Sequence, residues 1–161
     1  MLLHYEYTFL KPFEETAMIQ VRDLLKSKKA NSIFSLSPNA TALDAMRLMA
    51  QYNIGALLVI ENGKLVGILS ERDIVRKVDV QGKSSADSLA RDIMTEKVLY
   101  VKPEQPLEDC MALMTEKRIR HLPVIENDRL LGVISIGDVL REVIHEQKFM
   151  IDQLEHYIRG Q

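Results

Sequence analysis

The chain has one cysteine, Cys110, in 161 residues. That excludes an internal disulfide framework and a cysteine-rich zinc site, and it suits a reducing compartment. An excess of one charge is also missing, since 21 basic and 23 acidic residues leave a net charge of −2. Bulk electrostatics will not draw so balanced a chain to nucleic acid. Long apolar runs are absent too. None exceeds five residues, as in Ala56-Leu57-Leu58-Val59-Ile60, and a membrane span requires roughly 20 such residues. The first 20 residues carry Leu2, Leu3, Phe9 and Phe13, but Glu6, Glu14 and Glu15 interrupt them and no basic stretch precedes an apolar one. This makes a poor secretory signal. Residues 1–20 are read as a leader, either poorly ordered or partner-binding, on a cytoplasmic protein.

Motifs for catalysis are equally scarce. His145-Glu146 is followed by Gln147-Lys148-Phe149, so the His-Glu-x-x-His pattern is missing. Gly82-Lys83-Ser84-Ser85 lacks the spacing of a phosphate-binding P-loop and reads as a solvated linker. Cys110 sits beside Met111 at helical spacing, where a buried, inert thiol is expected rather than a nucleophile. Lys26, Lys28 and Lys29 form a short basic cluster that fits a solvated loop or a surface next to phosphate. No catalytic residue, catalytic cofactor or metal site is expected.

What the chain does have is 47% apolar and 27% charged residues, enough for a folded core, and an internal repeat. Met46–Val78 and Met111–Val143 align without a gap at an offset of 65, with 15 of 33 positions identical. Unrelated segments would share about two at ordinary amino-acid frequencies. Upstream, Arg22-Asp23-Leu24-Leu25 matches Arg91-Asp92-Ile93-Met94 at an offset of 69. In both copies the same order follows. A short strand (32–36, 98–102) runs up to Pro38 or Pro103. A helix comes next, carrying Leu43, Met46 and Met49, or Leu107, Met111 and Met114. Two strands then flank a turn, Asn62-Gly63 or Asn127-Asp128, and a helix opens with Ser-x-x-Asp. The fold class is therefore α/β (α+β): two β-α-β-β-α repeats related by a pseudo-twofold, since one such repeat of about 60 residues cannot cover its own sheet. The expected boundaries are a leader 1–20, repeat 1 over 21–80, a linker 81–88, repeat 2 over 89–145 and a helical extension 146–161. The extension has an apolar stripe that suits either a homodimer contact or packing of the leader.

The candidate site lies where strand becomes helix, at Gly67-Ile68-Leu69-Ser70-Glu71-Arg72-Asp73 and Gly132-Val133-Ile134-Ser135-Ile136-Gly137-Asp138. First-turn amides there favour an anion. A serine hydroxyl can bond phosphate, an aspartate can accept from a ribose diol, and the strand glycine would let a ligand approach the backbone. Ser-x-x-Asp is also close to a helix capping box, so both readings stand. Arg120 and His121 add charge in repeat 2, where repeat 1 has Gly55 and Ala56. They could face an anion, or form a surface ion pair or guard a strand edge. The halves are chemically unequal, and the polyphosphate end of any ligand is better supported in repeat 2.

These two Gly-h-h-Ser-x-x-Asp segments (h, hydrophobic), preceded by Ile54–Ile60 and Ile119–Ile125, resemble the cystathionine-β-synthase (CBS) domain family. The similarity covers residues 21–144. It implies a stand-alone tandem pair, also called a Bateman module, of the signal-transduction type. By that resemblance the chain would be a non-catalytic sensor binding AMP, ADP, ATP, NAD(H) or S-adenosylmethionine in clefts between the repeats. Asp73 and Asp138 would hold ribose, and Ser70 and Ser135 would sit by ribose or phosphate. Arg120 and His121 would face phosphates, with Arg72 as a further cation in repeat 1. Ile33, Val98, Ala56, Leu57 and Pro123 would line adenine pockets, partly through backbone. A homodimer and an unnamed downstream protein partner are expected, with no nucleic acid or membrane. The alternative is a scaffold that dimerises without a ligand.

Overall fold

A computed structural model describes residues 2–4, 18–28 and 33–160. Most of the leader expected over 1–20, and part of the strand expected over 32–36, lie outside the described residues. In chain order the elements are β1 (Leu2–His4), α1 (Val21–Ser27), β2 (Ser35–Leu36), α2 (Ala42–Tyr52), β3 (Ala56–Glu61), β4 (Lys64–Ser70), α3 (Glu71–Ile74), a π-helical turn (Val75–Asp79), α4 (Ala90–Ile93), β5 (Val98–Tyr100), α5 (Leu107–Lys117), β6 (His121–Glu126), β7 (Arg129–Ser135) and α6 (Ile136–Ile158). Contacts divide them into two units. One comprises Met1–Leu3 and Ser32–Leu99, and the other His4–Asn31 and Tyr100–Gln161.

In unit 1, β2 lies parallel to β3, and β3 is antiparallel to β4. The hairpin turns at Asn62 and Gly63, both at positive φ (51° and 75°), the twist that joins two strands through a two-residue loop. Thr41 starts α2 by accepting the Asp44 amide (3.1 Å), and Asn53 ends it in the left-handed region. The core gathers Leu57, Val59, Leu69, Ile74 and Val78 with Ala45 and Met49 of α2. The π-helical turn closes this half: the Val80 amide reaches the Val75 carbonyl, five residues back. The helix of repeat 1 ends there.

Unit 2 repeats the design. β6 and β7 form an antiparallel hairpin around Asn127 and Asp128, both at positive φ, with a register shift at Val124/Ile125 matching the one at Val59/Ile60. Val101 bridges in parallel to Val124. α5 packs on α6, which runs 23 residues without a break.

The compact units are bounded differently from the repeats 21–80 and 89–145, which remain the units of the duplication. The Arg-Asp lead-in of repeat 2, α4, belongs to unit 1, while that of repeat 1, α1, belongs to unit 2. Two glycines show how the lead-ins seat. A Cβ on Gly67 would collide with Met94, whose Cγ would be 2.9 Å away, and one on Gly132 would lie 3.1 Å from Leu25 Cδ2. Leu25 and Met94 are equivalent positions at the offset of 69. Self-similarity tells which segments correspond, not which copy each one packs on.

Candidate functional site

The two strand-to-helix junctions have nearly the same backbone. Ser70 sits at φ −105°, ψ 162° and Ser135 at φ −103°, ψ 161°. Each serine is an N-cap. Ser70 Oγ accepts the Asp73 amide (3.2 Å), and Asp73 Oδ2 accepts both the Ser70 amide and the Ser70 hydroxyl, each at 2.9 Å. Ser135 Oγ accepts the Asp138 amide (3.1 Å), while Asp138 Oδ2 accepts the Ser135 amide (3.0 Å). The Gly55 carbonyl takes the Glu71 amide (3.0 Å) and the Arg120 carbonyl takes the Ile136 amide (2.9 Å). The expectation of open first-turn amides is corrected accordingly: two at each junction already have acceptors. The strand glycines are corrected too. The space over Gly67 and Gly132 is filled by Met94 and Leu25, not left to a ligand.

Both aspartates also meet a lysine. In unit 1, Lys77 Nζ lies 3.2 Å from Asp73 Oδ1 and donates to the Ile93 carbonyl (2.8 Å), and Thr95 Oγ1 is 3.4 Å from the same carboxylate oxygen. In unit 2, Lys28 Nζ donates to Asp138 Oδ2 and to the Val133 carbonyl, both at 3.0 Å, while Arg141 stands 3.8 Å from Oδ1. The two carboxylates are comparably enclosed, with side chains 17% and 16% exposed. Burial pushes the Asp138 carboxyl upward, but the Ser135 amide and Lys28 outweigh it, so its pKa lies below the ordinary value. His121 stands opposite Ser135 in the β6–β7 register. Burial holds its pKa below the usual histidine value, aided by Lys28 and Arg120 and opposed by Asp138.

The sequence-predicted residues divide between the units. Unit 1 holds Ile33, Ala56, Leu57, Ser70, Arg72, Asp73 and Val98, and unit 2 holds Arg120, His121, Pro123, Ser135 and Asp138. The structure brings Ala56 opposite Ser70, beside Asp73, and His121 opposite Ser135, beside Asp138. Leu57 points into the core of unit 1 at 1% exposure, so only its backbone can meet a ligand. Val98 and Pro123 are buried, and Arg72, Arg120 and Ile33, just ahead of β2, are exposed. Sequence reading did not pair Lys28, Lys77 or Thr95 with these aspartates. Lys77 was legible as the i+4 neighbour of Asp73. Lys28 is 110 residues from Asp138, and nothing local connects them. A shallow depression lined by Arg22, Leu25, Lys26, Pro103, Glu126 and Leu131 holds none of the candidate residues. Its Arg22 is paired with Glu104 (2.6 Å) and Glu126 (3.3 Å).

Comparison with known proteins gives a consistent picture. The CBS domain family model matches residues 21–80 and 90–145. The mitochondrial CBS domain-containing protein CBSX3 of Arabidopsis thaliana is 42% identical over 156 residues, which span 92% of this chain and 74% of that protein. The CBS domain-containing protein YhcV of Bacillus subtilis (strain 168) is 33% identical over 115 residues, 71% of this chain and 81% of that protein. Among solved structures, a CBS-domain protein from Burkholderia ambifaria MC40-6 superposes with a TM-score of 0.78 at 46% identity, covering 80% of this chain and 96% of that one.

Proposed function

Because the chain belongs to the CBS-domain family as a tandem pair, whose stand-alone members are generally regulatory rather than catalytic, we propose that it senses adenosine nucleotides. The ligand class is AMP, ADP, ATP or NAD(H), and occupancy is passed to a protein partner. One observation carries the reading. Asp138, enclosed and held ionised, is paired with Lys28 and Arg141 and faces His121, which Arg120 also influences. A cap alone needs the carboxylate and the serine; it has no use for two cations beside them. A ribose diol can donate to the carboxylate, and Lys28, displaced from it, is a point charge already beside any phosphate on the same sugar. His121, neutral at physiological pH, can donate or accept without adding charge.

Unit 1 supports a less anionic ligand, because Gly55 and Ala56 stand where unit 2 has Arg120 and His121. Signalling follows only if the ligand binds two arrangements of the chain with different affinity.

The test is calorimetry with AMP, ATP, NAD, NADH and S-adenosylmethionine on wild type, Asp73→Asn and Asp138→Asn. Asparagine keeps an acceptor for the cap and removes the charge. At least one nucleotide is expected to bind, and Asp138→Asn is expected to weaken it by roughly 10- to 100-fold, the loss of a charged hydrogen bond. Folded wild type that binds none of the five leaves the ligand-free scaffold as the better account.

A further inference from the structure

The C-terminal half of α6 is uncovered: every residue from 147 to 160 is exposed. Of these, 147–158 are helical, about 18 Å of helix, and a free helix of this length is marginal in water. Apart from Phe149, which is 60% exposed off the seam, its apolar residues follow one face. Leu140, Ile144, Gln147, Ile151, Leu154 and Ile158 recur at alternating steps of four and three, the a and d spacing that a coiled-coil seam uses. The five apolar members are 41–80% exposed.

We propose that α6 pairs with α6 of a second copy as an antiparallel coiled coil. The register follows from the sequence. Setting Leu140 against Ile158 of the second copy brings Ile144 against Leu154 and Gln147 against Ile151. The flanking positions on one side are then Arg141 opposite Glu155, twice by symmetry, with Lys148 at the twofold axis. On the other side Val143 faces Tyr157 and Met150 faces its own copy, widening the apolar strip. In a parallel pair the same flanks would match Val143 with Lys148 and Met150 with Glu155, leaving no charge pair. The helix dipoles also oppose one another in the antiparallel arrangement. Lys148 is the single like-charge meeting, and its long stem can turn the ammonium outward. Unit 1 supplies no second seam, because its equivalent helix stops at residue 80.

The experiment uses the full chain and sedimentation equilibrium. Wild type is expected to be dimeric, and Leu154→Asp to raise the dimer Kd by roughly 100-fold with an unchanged thermal transition of the units. Arg141→Glu and Glu155→Arg are each expected to weaken the dimer about 5-fold, and their combination to restore it. A short thiol-to-thiol linker should join Lys148→Cys copies across the axis but not Leu140→Cys copies, which lie about 27 Å apart in this register. Cys110 is buried, with a thiol pKa pushed up to about 12, and will not compete. A monomeric wild type overturns the proposal and favours coverage of the seam by the leader. A dimer indifferent to Leu154→Asp places the interface elsewhere, and cross-linking through Leu140→Cys makes the pair parallel. The Leu154→Asp, Glu155→Arg and cysteine variants leave the residues around Asp138 unchanged, so their outcomes are separate from the nucleotide reading, which is measured on ligand heats alone.

Discussion

At the scale of single residues, His121 and Asp138 give the protein a pH signature. His121 has a folded pKa below its unfolded value because burial disfavours the charged ring. Its unfolded form binds the extra proton first. The stability it contributes is therefore full above about pH 6.5 and is lost as pH falls toward the folded value. Asp138 is lowered from 3.8 in the same sense, so its contribution disappears only in stronger acid, below about pH 4. Urea midpoints measured between pH 8 and pH 5 should fall with pH, and His121→Gln should flatten that slope while leaving the acid limb below pH 4 in place. An unchanged slope would mean that the ring is not protected from protonation. The sequence named both residues. Their surroundings were not legible in it, because the burial of His121 and the approach of Lys28 come from segments far apart in the chain.

At the scale of elements, each hairpin was legible because its turn chemistry is local: Asn62-Gly63 and Asn127-Asp128 adopt the positive φ that those residue types tolerate. Strand ends were less so. Of the strand expected over 98–102, β5 ends at Tyr100 and Val101 forms a single bridge to Val124, after which the Lys102 amide turns to the Gln105 side chain (2.8 Å). The role of the strand glycines was misread for a related reason. A glycine announces a close approach but not what approaches. Gly67→Ala should destabilise unit 1 by about 1–3 kcal/mol, the usual cost of overpacking, because Met94 Cβ (3.2 Å) and Cγ both crowd the new methyl. Gly132→Ala should cost less, since it meets only the tip of Leu25. Thermal denaturation of the two variants decides this, and equal losses would sink the distinction.

At the scale of the whole molecule, the duplication was plain from identities alone, but the exchange of lead-in segments was not. Fifteen matched positions define what is repeated, and only the seating of Met94 on Gly67 and Leu25 on Gly132 defines what is packed. A fragment covering 33–99 should therefore unfold cooperatively, whereas one covering 21–80, a whole repeat by alignment, should not; circular dichroism with urea separates them. The exchange also sets an order in time. Residues 33–99 are contiguous and can settle as soon as they leave the ribosome. The segment from Val21 to Lys28 cannot, because Arg22 must wait for Glu126, 104 residues later. At about 5–20 residues per second, Leu24 and Leu25 stay without their partners for roughly 5–20 s during every round of synthesis. The nascent chain thus carries a short apolar stretch that its own finished half cannot shelter, and that interval is when it is most open to capture by a chaperone or by a neighbouring copy.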